Sequence, residues 1–114
     1  MLSINERRLI ERINALGAIG IDSEGRRTRL AADDADKAGR DAVAGWMREA
    51  GLRVETDKIG NIFGIWETGE NKHEKAVMTG SHIDTVINAG PYDGCYGVLA
   101  GLEVIQSLKE AGVG

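Results

Sequence analysis

The residues best suited to chemistry in this chain lie in two short runs, Gly80-Ser81-His82-Ile83-Asp84-Thr85-Val86 and Gly90-Pro91-Tyr92-Asp93-Gly94. An imidazole and two carboxylates this close in sequence offer nitrogen and oxygen donors to a divalent metal. In extended backbone, residues i and i+2 share a face, so His82 and Asp84 project together while Ile83 faces the other way. The Asp84 carboxylate can then accept a proton from one imidazole nitrogen and leave the other to bind metal, a pairing that fixes the tautomer and raises ligand basicity. Asp93 follows on a loop bracketed by Pro91 and Gly94, residues suited to a sharp reversal. Its two oxygens could bridge two metal ions.

Plainer readings stand beside this one. A lone histidine at a strand end is ordinarily a polar group that has found partners. Asp84-Thr85 could cap a turn, and Tyr92-Asp93-Gly94 could be one. Gly94-Cys95-Tyr96-Gly97 at a helix start could cradle a phosphate, but glycines at 94, 97 and 101 do not make Gly-x-Gly-x-x-Gly, and no P-loop Lys-Ser/Thr follows. Cys95 near a helix start could be a nucleophile, although small-residue packing is the usual role of such a cysteine.

The surrounding pattern predicts elements that would position these groups. Leu9, Ile10, Ile13 and Leu16 recur at helical spacing, with Glu6, Arg7, Arg8, Glu11 and Arg12 outside, predicting a helix over 4–16. Ser3 and Glu6 form a capping-box pattern and Gly17 a stop. Glycines and arginines over 18–32 predict an irregular connection. A second helix is expected over 33–50, acidic at its start, with Ala35, Ala38, Ala42, Val43, Trp46, Met47 and Ala50 as its inner stripe. Strands are expected at 52–57 and 62–66, paired antiparallel across Gly60-Asn61. The short apolar run Ala76-Val77-Met78-Thr79 has little alternation, as in a strand covered on both faces. It would deliver His82 to the carboxyl end of a sheet, where ligands collect in α/β folds. A third helix is expected over 95–111 with Val98, Leu102, Ile105 and Leu108 inward. The order fits an α/β domain with a mixed sheet. A helix packed on a sheet normally returns the chain to that sheet, so the stop at Gly114 is expected to be a truncation.

Composition narrows the classes. With 114 residues the chain suits one modest domain. A net charge of −4 and aromatic content of 4% leave neither a basic footprint nor stacking residues for nucleic acid. The short basic stretch Arg26-Arg27-Thr28-Arg29 sits beside the acidic Asp33-Asp34-Ala35-Asp36. No apolar run approaches the roughly 20 residues of a membrane span, and a single cysteine allows no intrachain disulfide. A cytoplasmic protein acting on a small molecule, without nucleic-acid or membrane partners, is the expectation.

The motif Gly80-Ser81-His82-Ile83-Asp84-Thr85-Val86, then Gly90, Asp93-Gly94 and Gly97-Val98-Leu99-Ala100-Gly101, closely resembles the N-carbamoyl-L-amino-acid hydrolase and allantoate amidohydrolase family. That family is a branch of the aminoacylase- and carboxypeptidase-like two-metal hydrolases. Thr28-Arg29-Leu30, Trp46-Met47-Arg48-Glu49-Ala50-Gly51-Leu52 and Gly60-Asn61 extend the likeness over nearly the whole chain.

The resemblance implies that His82 ligates one metal, that Asp93 bridges both, and that Asp84 is the catalytic-site partner of His82. It implies two divalent ions, usually zinc, with manganese, cobalt or nickel as alternatives, and a homodimer when full length. Residues 1–114 would be the N-terminal part of an incomplete three-layer αβα zinc-exopeptidase-like catalytic domain, without the dimerisation domain. The reaction implied is hydrolysis of non-peptide C–N bonds in N-carbamoyl-L-amino acids, ureido acids or allantoate by a two-metal-activated water. In the family the general-base glutamate and the remaining ligands come later in sequence, beyond Gly114. His73 matches no motif. A catalytic zinc normally takes three protein ligands, so this chain alone is expected to be inactive and to bind metal weakly. Two alternatives remain: a two-metal peptidase or N-acyl-amino-acid deacylase, and a non-catalytic binding module from a truncated gene.

Overall fold

The computed structural model describes residues 3–68, 75–85, 89–90, 92 and 94–112. Among them, three helices and one two-stranded sheet run in the order α1 (Glu6–Gly17), α2 (Asp34–Glu49), β1 (Arg53–Thr56), β2 (Ile62–Ile65) and α3 (Cys95–Glu110). This is a small α/β arrangement. No described helix is long and apolar enough to cross a membrane.

Helix α1 begins at Asn5, not at the expected Ser3 cap. The Asn5 side chain accepts from the Arg8 amide at 3.0 Å, one of the strongest N-cap arrangements. The Asn5 amide in turn donates to Glu103 Oε1 at 2.7 Å, which ties the start of α1 to α3. Leu9, Ile13 and Leu16 are buried as the periodicity predicts, but Ile10 is largely exposed. Arg12, expected outside, is buried. Its guanidinium donates to Gln106 Oε1 at 2.8 Å, so the stem lines the α1–α3 contact while the head is satisfied across it.

Helix α2 is capped by Asp33, whose carboxylate accepts from the Asp36 amide at 2.6 Å, while Asp36 accepts from the Ala32 amide at 2.9 Å. Its buried face is Asp36, Gly39, Val43 and Ala44. The expected stripe holds at Val43, Trp46, Met47 and Ala50, while in the first turns Asp36 and Gly39 are buried, Ala35 is half-buried and Ala38 is exposed. Asp36 is tolerated inside because it is hydrogen-bonded there.

The antiparallel pair holds in the register Arg53↔Ile65 to Thr56↔Ile62. Its turn is organised by Asp57, which accepts from the Ile59 and Asn61 amides and from the Asn61 side chain. Leu52 packs with Ala50 and Leu102 against Trp46, Met47, Trp66 and Ile105. The main cluster joins Leu9, Ile13 and Leu16 of α1, Val43 of α2, and Cys95 and Leu99 of α3. On α3 the buried stripe is Cys95, Leu99, Leu102 and Glu103. Of the residues expected inward, Leu102 is buried and Val98, Ile105 and Leu108 are partly so.

The expected strand at 76–79 is not formed. Residues 75–80 carry no ladder among the described residues; Val77 is fully exposed and Met78 is 77% exposed. A strand exists only by pairing with a neighbour, and residues 76–79 are exposed throughout, with no ladder partner among the described residues. Thr79 and Ser81, though exposed, lie close to Gly101 and Gly97 of α3. A Cβ on either glycine would come within 3.0 Å of Thr79 Cγ2 or 2.8 Å of Ser81 Cβ. The glycines of α3 thus let the segment approach the helix closely.

Candidate functional site

The segment that leaves α3 at Ser81 carries the two predicted donors that the described residues include. The alternation holds: Ile83 packs against the main core, while His82 and Asp84 keep about half their side-chain surface, 52% and 46%. His82 Nδ1 lies 2.9 Å from the backbone oxygen of Asp84 and 3.4 Å from its carboxylate Oδ1. Sequence reasoning expected the carboxylate as the partner. The Asp84 carbonyl is the nearer acceptor, and the carboxylate adds its charge beside the same nitrogen. An acceptor at Nδ1 favours the tautomer with its proton there and leaves a lone pair on Nε2. Nε2 has no hydrogen-bond partner among the described residues.

Gly94 lies against the His82 ring. Its φ of +74° and ψ of −41° belong to a region that L side chains rarely adopt. A Cβ there would overlap the His82 ring, striking Cε1, Nε2 and Nδ1. Gly94 is therefore fixed twice, by its own backbone and by the ring against its α-carbon. It also serves as the N-cap of α3, accepting from the Gly97 amide at 3.2 Å. Asp93, which precedes Gly94 in sequence and was expected as the bridging ligand, lies outside the described residues, as do Pro91 and His73.

Beneath this pair is a feature that the sequence reading missed. Arg29 is completely buried. Its Nε donates to the Ile83 carbonyl at 2.6 Å, and one terminal nitrogen donates to the carbonyls of Leu16 and Ile19 at 3.0 and 2.7 Å. The other meets Cys95 Sγ at 3.0 Å. The Arg29 amide donates to Thr85 Oγ1 at 2.7 Å, and the Thr85 amide donates back to the Arg29 carbonyl at 2.6 Å. Arg27 extends the seam, accepting from the Ala89 amide at 2.7 Å. The basic stretch is thus engaged within the fold, since Arg26 is paired with Asp22 and Glu24 at 2.8 and 3.3 Å. A charged residue flanked by others ordinarily lies outside, so only the demands of a buried network mark Arg29. Cys95 is buried as part of it, with the guanidinium on one side and the Ile83 carbonyl 3.7 Å away.

Among the described residues the donors fit a metal in kind and are incomplete in number. His82 is oriented and partly exposed, with Asp84 at Nδ1 and no hydrogen-bond partner at Nε2 among the described residues. Among the described residues, no group of three or more His, Cys, Asp or Glu is arranged to hold a metal.

No family model matches the chain. It is 44% identical over 110 residues to the N-carbamoyl-L-amino acid amidohydrolase of Geobacillus stearothermophilus, covering 96% of this chain and 27% of that relative. It is 41% identical over 98 residues to the allantoate amidohydrolase of Bacillus subtilis, covering 86% of this chain and 24% of the relative. Its fold matches the crystal structure of a hydantoinase/carbamoylase family amidase from Burkholderia ambifaria with a TM-score of 0.91 and 41% identity, over 98% of this chain and 27% of that one. In sequence and fold the chain belongs with the N-carbamoyl-L-amino-acid hydrolase and allantoate amidohydrolase family, spanning about a quarter of the length of the relatives it matches.

Proposed function

We propose that this chain carries part of the metal centre of an amidohydrolase that cleaves non-peptide C–N bonds of linear amides or amidines, with N-carbamoyl-L-amino acids, ureido acids and allantoate as the substrate class. The observation that carries the reading is the His82 ring, anchored through Nδ1 by Asp84 and seated on Gly94, with no partner at Nε2 among the described residues. The names of the relatives support the amidohydrolase chemistry over a peptidase or deacylase.

In this reading His82 is a ligand through Nε2, Asp84 holds its ring and tautomer, and Asp93 supplies the bridging carboxylate. Two divalent ions, with zinc as first choice and manganese, cobalt or nickel as alternatives, would acidify the attacking water and polarise the scissile carbon. Asp84, with an oxygen at Nδ1, stabilises positive charge drawn onto the imidazole on binding. The general base and the remaining ligands come from the part of the relatives' length that this chain does not span. Placement in a three-layer αβα catalytic domain, homodimerisation and a cytoplasmic location belong to the same proposal.

Calorimetric titration of the chain with Zn²⁺ tests the assignment. Weak binding that is lost in His82→Ala and in Asp93→Ala is the expected result, with no hydrolysis of N-carbamoyl-L-amino acids or allantoate by the metal-loaded chain. Zinc binding unchanged in His82→Ala would remove His82 from the site, and measurable turnover by the chain would refute its expected inactivity.

A further inference from the structure

We infer that Arg29 is the positioning residue of this site, fixing the backbone that aims Asp84 at His82. The role of His82 as a ligand rests on the function proposed above; the mechanical role of Arg29 does not.

A buried guanidinium needs a partner for each of its donors. Its donors are fixed in a planar fork, and each one left unpaired inside the fold carries a desolvation penalty. Arg29 meets that need with three carbonyls and a sulfur. These come from the end of α1, the segment after it, the 83–85 segment and the first residue of α3. The side chain is held in its slot by Gly39, where a Cβ would come within 3.0 Å of Arg29 Cδ.

The consequence falls on Asp84. The peptide before it is held through the Ile83 carbonyl by Arg29 Nε. The residue after it is held through the Thr85 amide and hydroxyl by the Arg29 backbone. Asp84 is therefore clamped on both sides from below, and its carbonyl, the nearest acceptor for His82 Nδ1, has little freedom to turn away. The anchoring carbonyls at the end of α1 carry the negative end of that helix's dipole, which favours a cation there. Lysine offers a single compact ammonium in place of the fork, and it cannot span partners set around the edge of the guanidinium plane.

The test uses isotope-labelled chain carrying Arg29→Lys, Thr85→Val or Thr85→Ser, with Leu52→Ala in the second core cluster as a control for lost stability alone. Thr85→Val removes the acceptor for the Arg29 amide at nearly constant shape, and Thr85→Ser keeps it. Three quantities are read on folded protein: the ring-nitrogen resonances of His82, the exchange rate of the Thr85 amide relative to amides of α1 and α3, and Zn²⁺ affinity. Arg29→Lys and Thr85→Val are expected to move the His82 ring toward a tautomer mixture and to release the Thr85 amide selectively. They should also weaken zinc by about 10–100-fold, the usual cost of losing a group that orients a ligand. Thr85→Ser should restore all three, and Leu52→Ala should lower the melting temperature without changing any of them. If Arg29→Lys does not fold, Thr85→Val decides the matter. An unmoved His82 ring with Thr85 exchange tracking global unfolding would overturn the inference. Absence of zinc binding in the parent chain would instead overturn the metal reading, leaving the ring and amide measurements to judge Arg29.

Discussion

Replacing Gly94 by alanine should damage the site more than the fold, and both effects can be sized. A non-glycine residue held at φ +74°, ψ −41° costs about 1–3 kcal/mol. Alanine also restricts the unfolded chain, which returns about 0.4–1 kcal/mol. The new methyl lands on the His82 ring, and because the ring is 52% exposed it can swing into solvent without repacking the core. That movement forfeits the Nδ1 hydrogen bond to Asp84, about 0.5 kcal/mol for a bond facing water. The net loss should be about 0.5–3 kcal/mol in urea unfolding, together with a displaced His82 ring. Gly25→Ala is the control: its φ of +79° imposes a similar backbone penalty, but nothing lies within 4 Å of its Cβ position. If Gly94→Ala changes the His82 ring resonances no more than Gly25→Ala does, or costs less than about 0.5 kcal/mol, the seating of the ring on Gly94 is wrong.

Two further predictions concern the fold. Burial acts to raise the Glu103 carboxyl, but hydrogen bonds from Arg8, the Asn5 amide and Ser107, with the Arg8 charge, outweigh it and hold the group below the usual carboxylate range. A carboxyl depressed in the folded state contributes stability that is fully present above its unfolded pKa of about 4.3 and is lost as pH falls through the folded value. Denaturation midpoints should therefore drop below about pH 4–5, and Glu103→Gln should flatten that dependence while costing about 1–3 kcal/mol at pH 7; an unaltered pH profile would show that the cluster is not ionised as drawn. Leu99→Ala removes a side chain with no exposed surface from the main core and should cost about 2–5 kcal/mol. Val104→Ala, 50% exposed on the same helix, should stay within about 0.5 kcal/mol; equal losses in thermal melts would contradict the burial assigned to α3.

What was legible in the sequence follows from which forces act locally. The α1 stripe of Leu9, Ile13 and Leu16, the start of α3 at Cys95 and the hairpin across Gly60-Asn61 are written in periodicity and turn chemistry, and each stands where expected. The opposed faces of His82 and Ile83 follow from the two-residue repeat of extended backbone. The misses needed distant partners. Asn5 replaced Ser3 as the cap because the Asn5 amide also meets Glu103, far along the chain. Arg12 and Arg29 are inside because Gln106, Ile83 and Cys95 receive them. In the first turns of α2 the inward place falls to Asp36, which satisfies the Ala32 amide, and not to Ala38, while Val43, Trp46, Met47 and Ala50 pack as expected. Residues 76–79 have the composition of a strand, but composition supplies no neighbour to pair with.

That last segment has a practical consequence. A run with Val77 and Met78 exposed and no ladder partner among the described residues offers apolar side chains and unpaired backbone, as a sheet edge does, without the usual defences of bulge or proline. Lys75 is the charge nearest to it among the described residues, and it guards only the start of the run. Such edges recruit one another, so the chain should be sticky in proportion to its concentration: soluble when dilute and self-associating as it is concentrated. A lysine at position 77 would then improve its handling without touching either core.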